Sequence, residues 1–253
     1  MLNNLWIAFR TYSRIPVPEA EWTEDNMKYA MCFFPLVGVV IGGAEFLWMF
    51  LAGLLHCPFI LQAAIASLLP LLITGAIHMD GFMDTTDALA SHQDREKMLQ
   101  ILKDSHTGAF AVISAGMWML AYFAAFTGIT TYKSLWIIGF GFVMSRSLSA
   151  LAVVLFRSAR ENGMLHAFSG TAQGYRVMVS MAGYFAVSTV CMIVLGGWRG
   201  LIAVLVNCGI FLYYRLLSYR KFGGITGDLA GWFLQLAELG TALSAALFAN
   251  LLP

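Results

Sequence analysis

The sequence predicts an all-α, polytopic integral membrane bundle, and three observations predict it. Of its 253 residues, 59% are hydrophobic and 11% charged, with a mean hydropathy of +0.74, about half the charge of a soluble domain of this size. The apolar residues fall in blocks of roughly 20, the length that crosses a hydrocarbon core as helix. Those blocks lack the alternating period of a membrane barrel, which leaves helices as the spanning element. Read in order, they give about seven transmembrane helices, at 29–55, 58–77, 109–131, 134–156, 177–197, 200–214 and 229–252. The sixth is the shortest. No linker, low-complexity run or repeat divides them, so residues 1–253 are expected to form a single membrane-embedded domain.

Ahead of the first span lies an arm, residues 1–28, that begins MLNNLWIAFRTYSRIPVP. Its apolar run is too short, and lacks the small-residue cleavage site, for a signal peptide. Trp6, Phe9 and Tyr12 predict a segment lying on membrane lipid at the interface, ended by Pro16 and Pro18. Between the spans, charge is placed unevenly. The arm carries Arg10, Arg14 and Lys28; segment 78–108 carries Arg95, Lys97 and Lys103; segment 157–176 carries Arg157, Arg160 and Arg176; and segment 215–228 carries Arg215, Arg220 and Lys221. The opposite side has only Lys133 and Arg199, with Arg146 inside a span. By the positive-inside rule all long loops face the cytoplasm, and any chemistry is expected on that face of a cytoplasmic (inner) membrane. A net charge of +1 offers nothing to nucleic acid. Cys32, Cys57, Cys191 and Cys208 have neither disulfide nor zinc spacing and read as small hydrophobes.

The acids are concentrated where the leaflet charge would disfavour them. Segment 78–108 holds Asp80, Asp84, Asp87, Asp94, Glu96 and Asp104, and reads as an acidic cytoplasmic loop. In HMDGFMDTTDALA the first three acids recur at i, i+4 and i+7, so on a helix they lie within about 60° of one another, with His78 opposite. Three carboxylates on one stripe repel unless a cation sits among them, and hard oxygen donors suit Mg²⁺ or Mn²⁺ completed by substrate phosphates. A solvated acidic face is the equally weighted alternative. In LQILKDSHTGAF, Lys103, Asp104, Ser105 and Gly108 precede the third span; they read either as a helix cap or as a phosphate or metal contact. In KFGGITGDLAGWFLQLAELG, Gly223, Gly224 and Gly227 with Asp228 mark a turn at a helix start that could admit an anion or be simply tight. Further along that helix Glu238 lies near mid-membrane, where a carboxylate needs a partner. Either Glu238 or Glu45 could pair with Arg146. Arg157, Arg160 and His166 offer a weaker anion contact.

Together these motifs resemble the adenosylcobinamide-GDP ribazoletransferase (cobalamin-5′-phosphate synthase) family of bacterial and archaeal membrane enzymes. The resemblance runs through YSRIPVP at 12–18, FPLVGVVIGG at 34–43, HMDGFMDTTDALA at 78–90, LKDSHTGAF at 102–110, MSR at 144–146, RENG at 160–163 and GGITGDLAG at 223–231. It implies that adenosylcobinamide-GDP is joined to α-ribazole or its 5′-phosphate with release of GMP, and that Mg²⁺ is required. Carried across residue by residue, it implies Asp80, Asp84, Asp87 and Asp104 as catalytic, metal-binding acids. Expected substrate contacts are Lys103, Ser105, Arg146, Arg160, Asp228 and Glu238, with Asp87 or Asp104 expected as base. The chain departs from the family pattern at Gln235, where Glu is common, and at His106, where Arg is frequent. Oligomeric state is left open.

Two other readings compete. A CDP-alcohol phosphotransferase also displaces a nucleotide with membrane aspartates, but its AR pair after DG is missing: Asp80-Gly81 is followed by FMDTTDALA. A transporter would distribute acids along several spans, whereas here only Glu45 and Glu238 lie deep.

Overall fold

The computed structural model describes residues 2–104, 106–159 and 172–247. Among them there is no strand beyond an isolated bridge between Ser158 and Ile225; the fold is helical throughout. The arm packs part of its surface on the bundle. It forms α1 (Leu2–Tyr12) and α2 (Glu24–Ala30), and Phe9 and Tyr12 turn inward, Tyr12 packing 4.2 Å from the Phe34 ring. Burial against protein removes more aromatic surface from water than an interfacial position would.

Among the described residues each apolar segment contains a helix: α3 (Phe34–Leu54), α4 (Phe59–Thr74), α7 (Ala109–Thr127), α8 (Tyr132–Leu155), α9 (Ala172–Gly196), α10 (Trp198–Leu217) and α11 (Gly227–Leu247). Five of the described helices, α3 (with the turn before it), α7, α8, α9 and α10, are individually long and apolar enough to cross a membrane. The chain is therefore a multi-pass membrane protein, though the expected seven spans are not all alike. At 16 residues, α4 reaches only about 24 Å at 1.5 Å per residue, and α11 carries Asp228, Gln235 and Glu238.

Segment 78–108, expected as a loop, is mostly helix: α5 (Ile77–Ala90) and α6 (Arg95–Ile101). Gly75 and Ala76 both take left-handed backbone angles, with φ of 64° and 60°. These two residues turn α5 through 91° from α4. If α4 crosses the bilayer, α5 runs along its surface.

The bundle is built around α8. In its spanning window 83% of residues are buried, against 22–33% for α3, α7, α9 and α10, whose outward Leu, Val, Ile and Phe side chains face lipid. Small residues let α3 lie directly on α8: a Cβ on Gly38 would stand 2.5 Å from the Phe142 carbonyl oxygen, the close approach that dispersion-driven packing in lipid needs. Backbone contacts tie the arm to the end of α4 and residues 157–159 to the segment before α11. The Arg14 N–H donates to the Ile73 carbonyl (2.7 Å), Arg157 Nε donates to the Gly223 carbonyl (2.9 Å), and the Ile225 N–H donates to the Arg157 carbonyl (2.8 Å).

Candidate active site

The acidic stripe is on a helix, as its spacing predicts. The inner face of α5 is formed by His78, Gly81, Phe82, Thr85 and Ala88, which leaves Asp80, Asp84 and Asp87 on the outer side. His78 is buried opposite them, its ring 6.4 Å from Tyr12 and 5.8 Å from Phe34.

What linear spacing does not reveal is the arrival of a fourth acid from the other end of the chain. Helices α5 and α11 touch backbone to backbone: a Cβ on Gly81 would lie 2.7 Å from the Asp228 carbonyl oxygen, and one on Gly231 would lie 2.9 Å from that of His78. The glycine-rich turn makes this approach. After a short π-helical stretch at Ser218–Phe222, Gly223 takes a left-handed φ of 75° and α11 starts at Gly227, where the Leu229 N–H donates to Thr226 Oγ1 (3.2 Å). Asp228 is thereby carried to the acidic stripe. Asp84 registers the result: partial burial, then the charges of Asp80, Asp228 and Asp87, push its carboxyl up from 3.8 to about 6.

Two cavities open beside these acids. One of about 560 Å³ is walled mainly by apolar groups, among them Tyr12, Trp22, Met27, Met31 and Phe34, with His78, Asp80, Thr226 and Asp228 at its polar edge. A second, of about 550 Å³, is lined by Arg10, Ser13, Arg14, Thr74 and Met83, and shares Thr11, Ile77 and Asp80 with the first. The volume of the first falls within the range of small-molecule sites.

The remaining expected residues are placed less centrally. Asp87 spends both oxygens on the start of α7, Oδ2 accepting the Gly108 N–H (2.5 Å) and Oδ1 that of Ala111 (3.0 Å), so a residue 24 positions away performs the capping expected of Asp104 or Ser105. Asp87→Ala is expected to cost about 1 kcal/mol through the lost cap, read as a lower Tm and faster hydrogen exchange at 108–112. Unchanged exchange there would show that the contact holds nothing in place. Asp104 lies in the exposed turn beyond α6, where the His106 ring (Nδ1 to Oδ1, 2.6 Å) holds its carboxyl below the usual range and is itself held protonated to higher pH. Lys103 is exposed and lines neither cavity. Ser105 and Arg160 lie outside the described residues.

Arg146 and Glu238, expected as substrate contacts, are bonded to each other. Arg146 Nη1 donates to Glu238 Oε1 at 2.8 Å, with the two side chains 0% and 2% exposed, and neither lines a cavity. This settles which acid Arg146 holds. Glu45 stays nearby as a second buried acid, within electrostatic reach of Glu238. Arg10 and Arg14, which the sequence offers only as topology markers, line the cavity beside Asp80. The sole signal for Arg14 was its place in YSRIPVP, and Arg10, two residues before that motif, had none.

Mg²⁺ fits this donor set. Among the described residues no three His, Cys, Asp or Glu side chains are close enough to enclose an ion by themselves. Mg²⁺ characteristically takes one or two carboxylates and completes its shell with water and substrate phosphate, and the charge gathered around Asp84 is of the sign it neutralises.

Residues 4–246 match the protein family described as cobalamin-5-phosphate synthase. The chain belongs to that family. Among relatives named adenosylcobinamide-GDP ribazoletransferase, that of Lachnoclostridium phytofermentans is 46% identical over 246 residues, covering 97% of this chain and 94% of its own. The relative from Desulfitobacterium hafniense is 35% identical, covering 96% of each chain, and one from Clostridium botulinum is 32% identical, covering 98% of each. No solved structure matches the chain. For this cobalamin-5-phosphate synthase family member, the α5–α11 contact and the two cavities therefore provide the geometry from which a mechanism can be argued.

Proposed function

We propose that the protein is an adenosylcobinamide-GDP ribazoletransferase: it joins adenosylcobinamide-GDP to α-ribazole or α-ribazole 5′-phosphate, releasing GMP, by metal-assisted phosphoryl transfer at the acidic end of the α5–α11 contact. The observation that carries this reading is the gathering of Asp84 with Asp80 and Asp228, the last two lining a cavity of about 560 Å³. The apolar walls of that cavity suit the aromatic base of the acceptor, with its ribose directed toward the carboxylates. A ribose hydroxyl attacks the corrin-side phosphorus of the diphosphate, the new O–P bond forms, and the bond to the GMP oxygen breaks. Asp84, with Asp80 and Asp228 beside it, would hold Mg²⁺, which when bound neutralises charge on the phosphate oxygens. Because Asp87 and Asp104 are engaged by α7 and by His106, Asp80 is the better carboxylate to receive the hydroxyl proton. The face carrying this site is read as cytoplasmic from its basic loops.

The deciding assay supplies purified protein in neutral detergent with adenosylcobinamide-GDP, α-ribazole and Mg²⁺ and follows GMP and complete cobamide. Both are expected in equal amounts, and chelation by EDTA should stop their formation. Well-folded protein that yields neither product would sink the reading. A reporter fused after residue 95 should signal cytoplasm.

A further inference from the structure

The structure assigns Arg10 and Arg14 a phosphate-binding role at the second cavity, on the far side of Asp80 from the apolar one; this deepens the transferase reading and rests on it. Arg10 stands in the last turn of α1, and Arg14 follows four residues later. Both line the cavity of about 550 Å³ together with Thr11, Ser13 and Asp80. Its floor is the turn Thr74–Ile77 that redirects the chain into α5. Arg14 is fixed to that floor: its N–H donates to the Ile73 carbonyl (2.7 Å), and its side chain lies over Gly75, where a Cβ would come within 2.5 Å of Nε. Gly75 has a left-handed φ of 64°, so both backbone and contact demand glycine there.

Membrane topology explains why arginines occur on this side of the protein. It does not explain why two of them share one cavity with a catalytic carboxylate. Among the described residues neither guanidinium has an ion-pair or hydrogen-bond partner, unlike Arg146 and Arg157, which have both kinds of contact or one of them. Two free guanidinium forks are matched to a tetrahedral oxyanion, which they can hold bidentately. Asp80 borders both cavities, so a phosphoryl group held here lies next to the acids that act on the diphosphate.

Two phosphates of the reaction have this chemistry: the 5′-phosphate of a phosphorylated acceptor, and the nucleotide phosphate that leaves as GMP. Kinetics with two acceptors separate them. Arg10→Gln and Arg14→Gln are compared with Lys97→Gln, which removes an exposed charge of the same side away from both cavities. If the site takes the acceptor phosphate, each arginine variant loses about 10- to 100-fold in kcat/KM with α-ribazole 5′-phosphate, the loss of one charge-assisted contact, and none with α-ribazole. If it takes the nucleotide phosphate, both acceptors slow equally and KM for adenosylcobinamide-GDP rises. Lys97→Gln should change neither. A binding measurement independent of turnover uses inorganic pyrophosphate: it should raise the Tm of the wild type in neutral detergent and lose that effect in either arginine variant. Unchanged kinetics and unchanged pyrophosphate response in the variants would overturn the assignment. So would competition by phosphatidylglycerol vesicles that abolishes the pyrophosphate effect without inhibiting turnover, which would give the site to lipid. If the wild type binds pyrophosphate through these arginines yet makes no cobamide, the transferase reading fails and the phosphate site stands.

Discussion

Asp84→Asn is expected to lower turnover by at least about 100-fold, the scale of removing one charge-stabilising group from a phosphoryl-transfer site, and at the same time to raise the Tm of the metal-free protein at neutral pH. The two effects have one cause. The folded protein lifts the Asp84 carboxyl from 3.8 to about 6 by partial burial and by Asp80, Asp228 and Asp87. A carboxyl whose pKa is raised on folding favours the native state while protonated. Its contribution is therefore full below the ordinary value, declines as pH rises between about 4 and 6, and is missing above that. Asparagine imitates the protonated form, so the stability gain of Asp84→Asn should be present at pH 7.5 and vanish at pH 4. Because Asp84 is partly exposed, solvent screening keeps this gain small, and its sign and pH window carry the information. Mg²⁺ should stabilise the wild type at pH 7.5, and the variant much less. A variant less stable than wild type at pH 7.5 would make Asp84 a structural residue, and a variant with near-normal turnover would remove it from the site.

The parts of this molecule that the sequence disclosed are those governed by local period. Apolar blocks located the long hydrophobic helices, and the i, i+4, i+7 rhythm of Asp80, Asp84 and Asp87 identified a helical acidic face. Contacts between distant segments were not legible in the same way. Nothing near Asp228 announces that α11 lies against Gly81, because the backbone approach depends on glycines about 150 positions apart in sequence. The right angle between α4 and α5 was hidden because Ala76 adopts a left-handed conformation that its side chain disfavours, so segment 78–108 read as loop. Asp87 was legible as an acid but not as the cap of α7, since capping is ordinarily sought within three residues of a helix start. In the arm, composition did not disclose that Phe9 is buried and that Tyr12 packs on Phe34.

Arg146→Met is expected to be the most destabilising single change in the bundle, by about 3–5 kcal/mol, because it strands buried acids without a cation. The guanidinium joins three helices. It donates from α8 to Glu238 on α11 (2.8 Å) and to the Phe142 carbonyl (3.0 Å), and it lies 5.9 Å from the ring centroid of Phe34 at the head of α3. Two carboxylates, Glu45 and Glu238, are 1% and 3% exposed and within electrostatic reach of each other, and it is Glu238 that Arg146 bonds. The imbalance predicts an order of effects. Glu238→Gln keeps an amide oxygen that can accept from Arg146 and relieves Glu45 of a like-charged neighbour, so it should cost clearly less than Arg146→Met. Glu45→Gln removes the surplus acid and should be nearly neutral. Combining Arg146→Met with Glu238→Gln should recover part of the loss, since the double variant no longer buries the charge that Arg146 neutralised. Denaturant or thermal unfolding of the four variants in one detergent measures the order. Arg146→Met and Glu238→Gln of equal cost would mean that the amide gives Arg146 no support, and a costly Glu45→Gln would make Glu45 a partner in its own right. Turnover should follow the folded fraction in every case, because the pair lies beneath the cavities and lines neither of them.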